Sequence, residues 1–136
     1  MANAPRGLVV LSDPDSREAI LQILVTFGIE PVPCSTIRKA RASMSWEPAD
    51  VVFCETRFAD GSFEDLLFAL GSDEPSPPVI VCSRQYDPAL YLDLMDRGAF
   101  DFIAYPYRTE DVRWILGTAF LRCSQSAPKR MSSLAA

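Results

Sequence analysis

Five short β-rich runs alternate with helical patterns along the chain, and this order predicts an α/β domain. Its sheet should be parallel and doubly wound, with helices on both faces, because right-handed crossovers leave few other topologies. Two further observations agree. The runs Gly7-Leu8-Val9-Val10-Leu11, Val51-Val52-Phe53-Cys54 and Val79-Ile80-Val81-Cys82 are nearly continuous in apolar residues, as strands covered on both faces are. The length of 136 residues suits one domain with one core, since domains typically span roughly 100–150 residues.

The elements follow in order. After the first strand, Ser12-Asp13-Pro14 reads as a helix start, with Asp13 as cap and Pro14 in the first turn. Ala19, Ile20, Ile23, Leu24 and Phe27 recur at helical spacing, and Gly28 stops that helix. A weaker strand is expected over residues 30–34, then a helix over 36–46 with a basic face of Arg38, Lys39 and Arg41. The third strand ends at Glu55. A loop through Ala59-Asp60-Gly61-Ser62 leads to a helix bearing Leu66, Leu67 and Leu70, closed by Gly71. Residues 72–78 read as a polar, proline-rich surface loop. Asp87-Pro88 starts the helix after the fourth strand and Gly98 ends it. Residues 101–104 form the fifth strand, and Thr109 is expected to cap a last helix reaching about Arg122. Residues 123–136, rich in Ser and Ala, read as a flexible tail.

Composition narrows the function. Hydrophobic residues make up 49% and charged residues 23%, a globular mixture, and the formal net charge is -5. Such a balance disfavours nucleic acid and anionic membrane surfaces as partners. No apolar run approaches the roughly 18–20 residues that cross a bilayer, and residues 1–6 leave no space for a signal peptide, so a cytoplasmic protein is expected. Cys34, Cys54, Cys82 and Cys123 form no CxxC pair, and Cys54 and Cys82 end apolar runs where a thiol packs as a small hydrophobe, so no metal site is expected. Histidine is absent, which removes the commonest acid–base catalyst and metal ligand. The domain is not expected to be an enzyme.

In doubly wound sheets ligands sit at the carboxyl ends of the strands. Those ends carry Ser12-Asp13, Glu55, Ser83-Arg84 and Tyr105. There the chain resembles the receiver domains of bacterial two-component response regulators. The resemblance rests on Val9-Val10-Leu11-Ser12-Asp13-Pro14, on residues 50–55, on Pro78-Val79-Ile80-Val81-Cys82-Ser83 and on the run from Gly98 through Tyr105-Pro106-Tyr107. It implies a flavodoxin-like five-stranded order, 2-1-3-4-5. Residues 1–5 would be a lead-in, residues 6–122 the receiver-like domain, and residues 123–136 the tail.

Receivers accept a phosphoryl group on an aspartate with the help of Mg²⁺, and the resemblance assigns this chain's residues to that apparatus. Leu11, Ser12 and Asp13 fall in the acidic cluster, where Asp13 alone keeps a carboxylate. Glu55 stands at the acceptor position, one methylene longer than aspartate. Ser83 keeps the Ser/Thr position, Tyr105 replaces the lysine, and Phe102 takes the place of the switch aromatic. Phosphoryl transfer depends on positioning and charge stabilisation, and a displacement of about 1 Å can cost about a hundredfold. The resemblance therefore implies a degenerate receiver with no cofactor, Mg²⁺ included.

Each position also has a plainer reading. Glu55 either mimics a phosphorylated aspartate or is a solvated strand-end acid. Tyr105 fills the space left by the lysine. Arg84 closes the pocket and pairs with Glu55 or Asp13, with Arg57 a competitor, or both arginines are solvated. Phe102 is a switch or a fixed part of the core.

On the last helix Val112, Ile115, Leu116, Ala119 and Phe120 form a core-facing stripe, which turns Trp114 and Leu121 outward. With Tyr91 and Met95 of the fourth helix they suggest a surface for a protein partner or a second copy, made of the fourth helix, fifth strand and fifth helix. The expected function is phosphorylation-independent signalling by protein contact. The alternative is a response regulator that accepts phosphate on Glu55 or Asp13 with Mg²⁺. A flavin-binding relative would need a Thr/Ser/Gly-rich phosphate loop, which Ser12-Asp13-Pro14-Asp15-Ser16 does not provide.

Overall fold

The computed structural model of the chain describes residues 4–71 and 76–121. Its strands and helices run β1 (Arg6–Val10), α1 (Pro14–Thr26), β2 (Glu30–Pro33), α2 (Ile37–Trp46), β3 (Val51–Cys54), β4 (Arg57–Phe58), β5 (Gly61–Ser62), α3 (Phe63–Leu70), β6 (Val79–Ser83), α4 (Pro88–Arg97) and β7 (Asp101–Ala104). A last helix, α5, covers residues 109–121. The main sheet has the order β2-β1-β3-β6-β7 with every pairing parallel. Counted within that sheet, this is the expected 2-1-3-4-5 arrangement. Among the described residues no helix is long and apolar enough to cross a membrane.

Side chains alternate across a strand, so an apolar run on a central strand serves two cores. Leu8, Val10, Val52, Cys54, Val79, Val81 and Phe102 face one side, where α2, α3 and α4 supply Ile37, Ala40, Leu66, Leu70 and Leu94. Val9, Leu11, Val51, Phe53, Ile80, Cys82 and Ile103 face the other, against Ile20, Ile23 and Leu24 of α1 and Val112, Ile115 and Leu116 of α5. Register holds the alternation in phase: Leu8 pairs with Val52, Val52 with Val79, and Val81 with Phe102. Gly7 is required by closeness, since a Cβ there would lie 2.9 Å from Leu24 Cδ1.

Helix ends follow local chemistry. Asp13 caps α1 by accepting from the Asp15 N–H, Thr36 caps α2, and Asp87 caps α4 with Pro88 following. Ser62 and Asp65 form a reciprocal capping box on α3. Gly98 ends α4 in the left-handed region at φ 117°, which favours glycine.

Several boundaries depart from expectation. Strand β2 stops at Pro33, although the Cys34 N–H still donates to Val9 O and continues the ladder. Its two prolines are tolerated because β2 is an edge strand. Strand β6 runs one residue further, to Ser83, and Ile37 rather than Thr36 begins α2. The expected loop before α3 is a small antiparallel hairpin, β4–β5, with Arg57 opposite Ser62. Its turn residue Asp60 accepts the N–H groups of Ile37 and Arg38 at 2.9 and 3.0 Å and so holds the start of α2. Those bonds lower the Asp60 pKa. Thr109 is not the cap of α5: the Val112 N–H donates to Arg108 O, which puts the cap at Arg108. Arg122, the tail at 123–136 and residues 72–75 of the proline-rich loop lie outside the described residues.

Phe53 is fully buried in the middle strand, whereas Trp114 on α5 is 75% exposed. Phe53→Ala should destabilise the fold by about 3–5 kcal/mol, and Trp114→Ser should stay within about 0.5 kcal/mol of the parent. Urea unfolding of the two variants measures both.

Candidate functional site

Because the strands are parallel, their carboxyl ends lie on one edge of the sheet, where the turns leaving β1, β3, β6 and β7 meet. The turns enclose a cavity of about 280 Å³ lined by Ser12, Asp13, Ser16, Glu55, Thr56, Arg57, Cys82, Ser83, Arg84 and Tyr107. All the strand-end residues singled out in the sequence except Tyr105 line it, and Tyr105 stands beside it through Arg84.

Arg84, the first residue after β6, reaches the turn after β1. Its Nε donates to Asp13 Oδ2 at 2.6 Å and its Nη2 to Asp13 Oδ1 at 3.1 Å, a two-pronged contact. Nη2 also donates to Asp15 Oδ2 at 3.4 Å. The guanidinium carbon lies 4.6 Å from the centre of the Tyr105 ring, within cation–π range. Asp13 is thereby the partner of Arg84, and Glu55 is not. The Arg84 hydrogen bonds are the main reason that the Asp13 pKa falls below its ordinary value.

Glu55 turns toward Ser12. Its Oε2 accepts the Ser12 N–H at 3.1 Å and the Ser12 Oγ–H at 2.9 Å, with Oε1 3.2 Å from the same hydroxyl. Among the described residues no cation pairs with Glu55, and Arg57 is an exposed cavity-wall residue on the β4–β5 hairpin. Ser83 keeps its hydroxyl at the cavity and accepts the Gln85 N–H at 3.2 Å. Leu11, by contrast, is buried in the core at 1% exposure and contributes no ligand to the cavity.

Tyr105 is joined to Ser83 through its backbone, donating N–H to Ser83 O at 2.7 Å, and the Tyr105–Pro106 peptide is cis. Its ring meets that of Tyr107 edge-on at 5.3 Å. Tyr107 was not picked out as a site residue in the sequence. Its hydroxyl shares a hydrogen bond with Ser16, the one buried polar residue found among the described residues, and also meets the Cys82 thiol. Burial raises the pKa of Tyr107, Cys82 and Cys54, so these groups keep their protons and the thiols are poor nucleophiles. A buried tyrosine hydroxyl needs a polar partner, and that requirement is the signal by which Tyr107 and Ser16 could have been found.

Phe102 points inward and is 7% exposed. Tyr86 and Tyr91 pack edge-on against it at 6.0 and 6.3 Å. Tyr91 and Met95 are half-buried against the core on this side, and Leu92 takes the outward place on α4. Trp114 and Leu121 are exposed as expected and border a surface hollow with Glu110, Arg113, Gly117 and Thr118.

The Asp13–Arg84 pair makes stability depend on pH with a defined sign. Because the folded-state pKa of Asp13 lies below its ordinary value of 3.8, the pair contributes fully above that value and is lost as pH falls through the folded pKa. The urea midpoint of the parent should therefore exceed that of Arg84→Ala by a constant margin from neutral pH down to about pH 5. The margin should close below pH 3.8, the ordinary value.

No protein-family profile matches the chain. Over 114 residues, 84% of the chain, it is 26% identical to the response regulator protein PilR of Pseudomonas aeruginosa and covers 26% of that protein. The chain spans about a quarter of the length of the curated relatives it matches. The crystal structure of a response regulator from Chloroflexus aurantiacus has a TM-score of 0.80 at 16% identity, with 88% of this chain and 100% of that one covered. The receiver domain of NtrX from Brucella abortus has a TM-score of 0.74 at 23% identity, with 83% and 96% covered. The backbone that this sequence builds is that of a response-regulator receiver domain.

Proposed function

We propose that this chain is a signalling module of the receiver type that works by protein contact and does not take up a phosphoryl group. The observation that carries the reading is the occupation of both candidate carboxylates by groups of the chain itself. Asp13 receives the Arg84 guanidinium on both oxygens, and Glu55 receives the Ser12 N–H and hydroxyl.

The donor set also fits Mg²⁺ poorly. That ion asks for near-octahedral oxygen ligation, in which protein carboxylates are the anionic part. Leu11 and Ser12 supply no second carboxylate next to Asp13. Arg84 puts a positive charge on the oxygens of Asp13 that a divalent ion would need, at 2.6 and 3.1 Å. Charge build-up on an incoming phosphate would lack the lysine ammonium as well, since Tyr105 has none.

The contact surface in this reading is the side made by α4, β7 and α5. Its exposed Leu92, Trp114 and Leu121 are large apolar groups of the kind that anchor protein interfaces. The occupant is a protein, with a second copy of the chain included. The net charge of -5 argues against nucleic acid and anionic lipid.

Incubation with acetyl phosphate and Mg²⁺, followed by intact-mass spectrometry, tests the reading. The expected result is no phosphoryl adduct on the parent chain. A phosphoryl mass gain that Glu55→Gln or Asp13→Asn abolishes would establish a phospho-accepting regulator instead.

A further inference from the structure

We infer that Arg84 is a resident cation that ties three turns together and, through the short segment that follows it, fixes the aromatic cluster of Tyr86, Tyr91 and Phe102. This deepens the proposed function and rests on it, since a pocket that took up phosphate would have to release Arg84.

The three turns are those after β1, β6 and β7. Arg84 belongs to the second, its Asp13 partner to the first with Asp15 just inside α1, and the Tyr105 ring beneath its guanidinium to the third. The anchors are themselves fixed. Asp13 is held as the cap of α1, and Tyr105 is bonded to Ser83 O through its backbone. An arginine cannot lose its proton in this setting, and its flat fork meets a carboxylate and a ring face at once. The chain thus carries its own positive charge at the carboxyl edge of the sheet.

The segment from Arg84 to the α4 cap, Asp87, is only four residues long, and both of its ends are held. At one end Arg84 is tethered to Asp13. At the other, Asp87 accepts the Ala89 N–H at 3.0 Å and its carbonyl accepts the Tyr91 N–H at 2.9 Å. Gln85 donates to Ser83 Oγ between them. Tyr86 therefore has little freedom, and it lies with its ring 6.0 Å from Phe102 and 6.3 Å from Tyr91. Tyr86 is 61% exposed, so core burial alone does not hold it there. An open ion pair contributes little by itself. Here its effect is to remove freedom from a short segment whose ordering decides where three rings meet.

Amide hydrogen exchange on the full chain, read residue by residue by NMR, tests the inference. Arg84→Ala should speed exchange at Gln85, Ala89 and Tyr91 by about fivefold or more and shift the ring resonances of Tyr86, Tyr91 and Phe102. The amides of Val52 and Phe53 in β3 should change by a smaller factor, the one that the drop in urea midpoint accounts for. Asp13→Asn should give the same pattern, and Arg84→Lys, which keeps the charge and loses the fork, an intermediate one. If exchange at those three amides and the ring shifts are unchanged in both Arg84→Ala and Asp13→Asn, Arg84 holds nothing and the inference fails. Should β3 speed up equally in Arg84→Ala, the pair acts on global stability and the coupling to the aromatic cluster is again refuted. A phosphoryl adduct on the parent chain overturns the proposed function, whereas unchanged exchange overturns only this inference.

Discussion

Burial of β1, β3 and β6 on both faces is the constraint on which everything else in the molecule depends. Two cores share one sheet, so a slip of one residue in any central strand would exchange the side chains of both. Val9 and Phe53 belong to one core and Val10 and Cys54 to the other, and the observed register buries all four. Once register is fixed, so is what stands just past each strand. Ser12, Glu55, Arg84 and Tyr105 become neighbours without any need for local sequence to bring them together.

At that edge the residues that the resemblance to receivers singles out meet in pairs. The Tyr105 ring allows Arg84 to lie over it, where a lysine ammonium would repel the guanidinium. The Ser12 hydroxyl lets Glu55 approach to 2.9 Å, a distance at which two carboxylates would repel each other. Asp13 receives the guanidinium. Four residues that look independent in the sequence thus form two contacts in space, and each contact satisfies a charge within the protein. The cavity is correspondingly balanced: two carboxylates and two guanidinium groups line it, and neither an anion nor a cation meets a large uncompensated field there.

The sheet and its order were legible because long apolar runs and capping residues signal themselves locally. Asp13-Pro14, Asp87-Pro88 and Gly98 mark helix ends by the chemistry of one or two residues. What the sequence did not disclose depends on distant partners. The β4–β5 hairpin is pinned by Asp60 reaching the start of α2, more than twenty positions away, and nothing in Ala59-Asp60-Gly61-Ser62 announces it. Whether Arg84 would choose Glu55 or Asp13 depends on how the loops meet in space: Arg84 reaches Asp13, and Glu55 is engaged by Ser12. The Ser16–Tyr107 bond joins residues 91 positions apart. Helical spacing alone also left the facing of α4 open: Tyr91 and Met95 pack toward the core while Leu92 points out.

A ligand shifts a protein between states only by the difference in its affinity for them. In a receiver that takes up phosphate the difference is made at the carboxyl edge of the sheet. In this chain the two carboxylates at that edge are partnered by the chain itself, so a ligand that needs them must first displace Arg84 from Asp13 or Ser12 from Glu55. The opposite holds on the outer face of α5, where Trp114 and Leu121 are exposed and gain burial on contact. Free energy of association is therefore available at the α5 surface and is largely spent already at the pocket. On the proposed reading, the α5 surface is the part that other proteins contact and the pocket is already occupied by the chain's own groups.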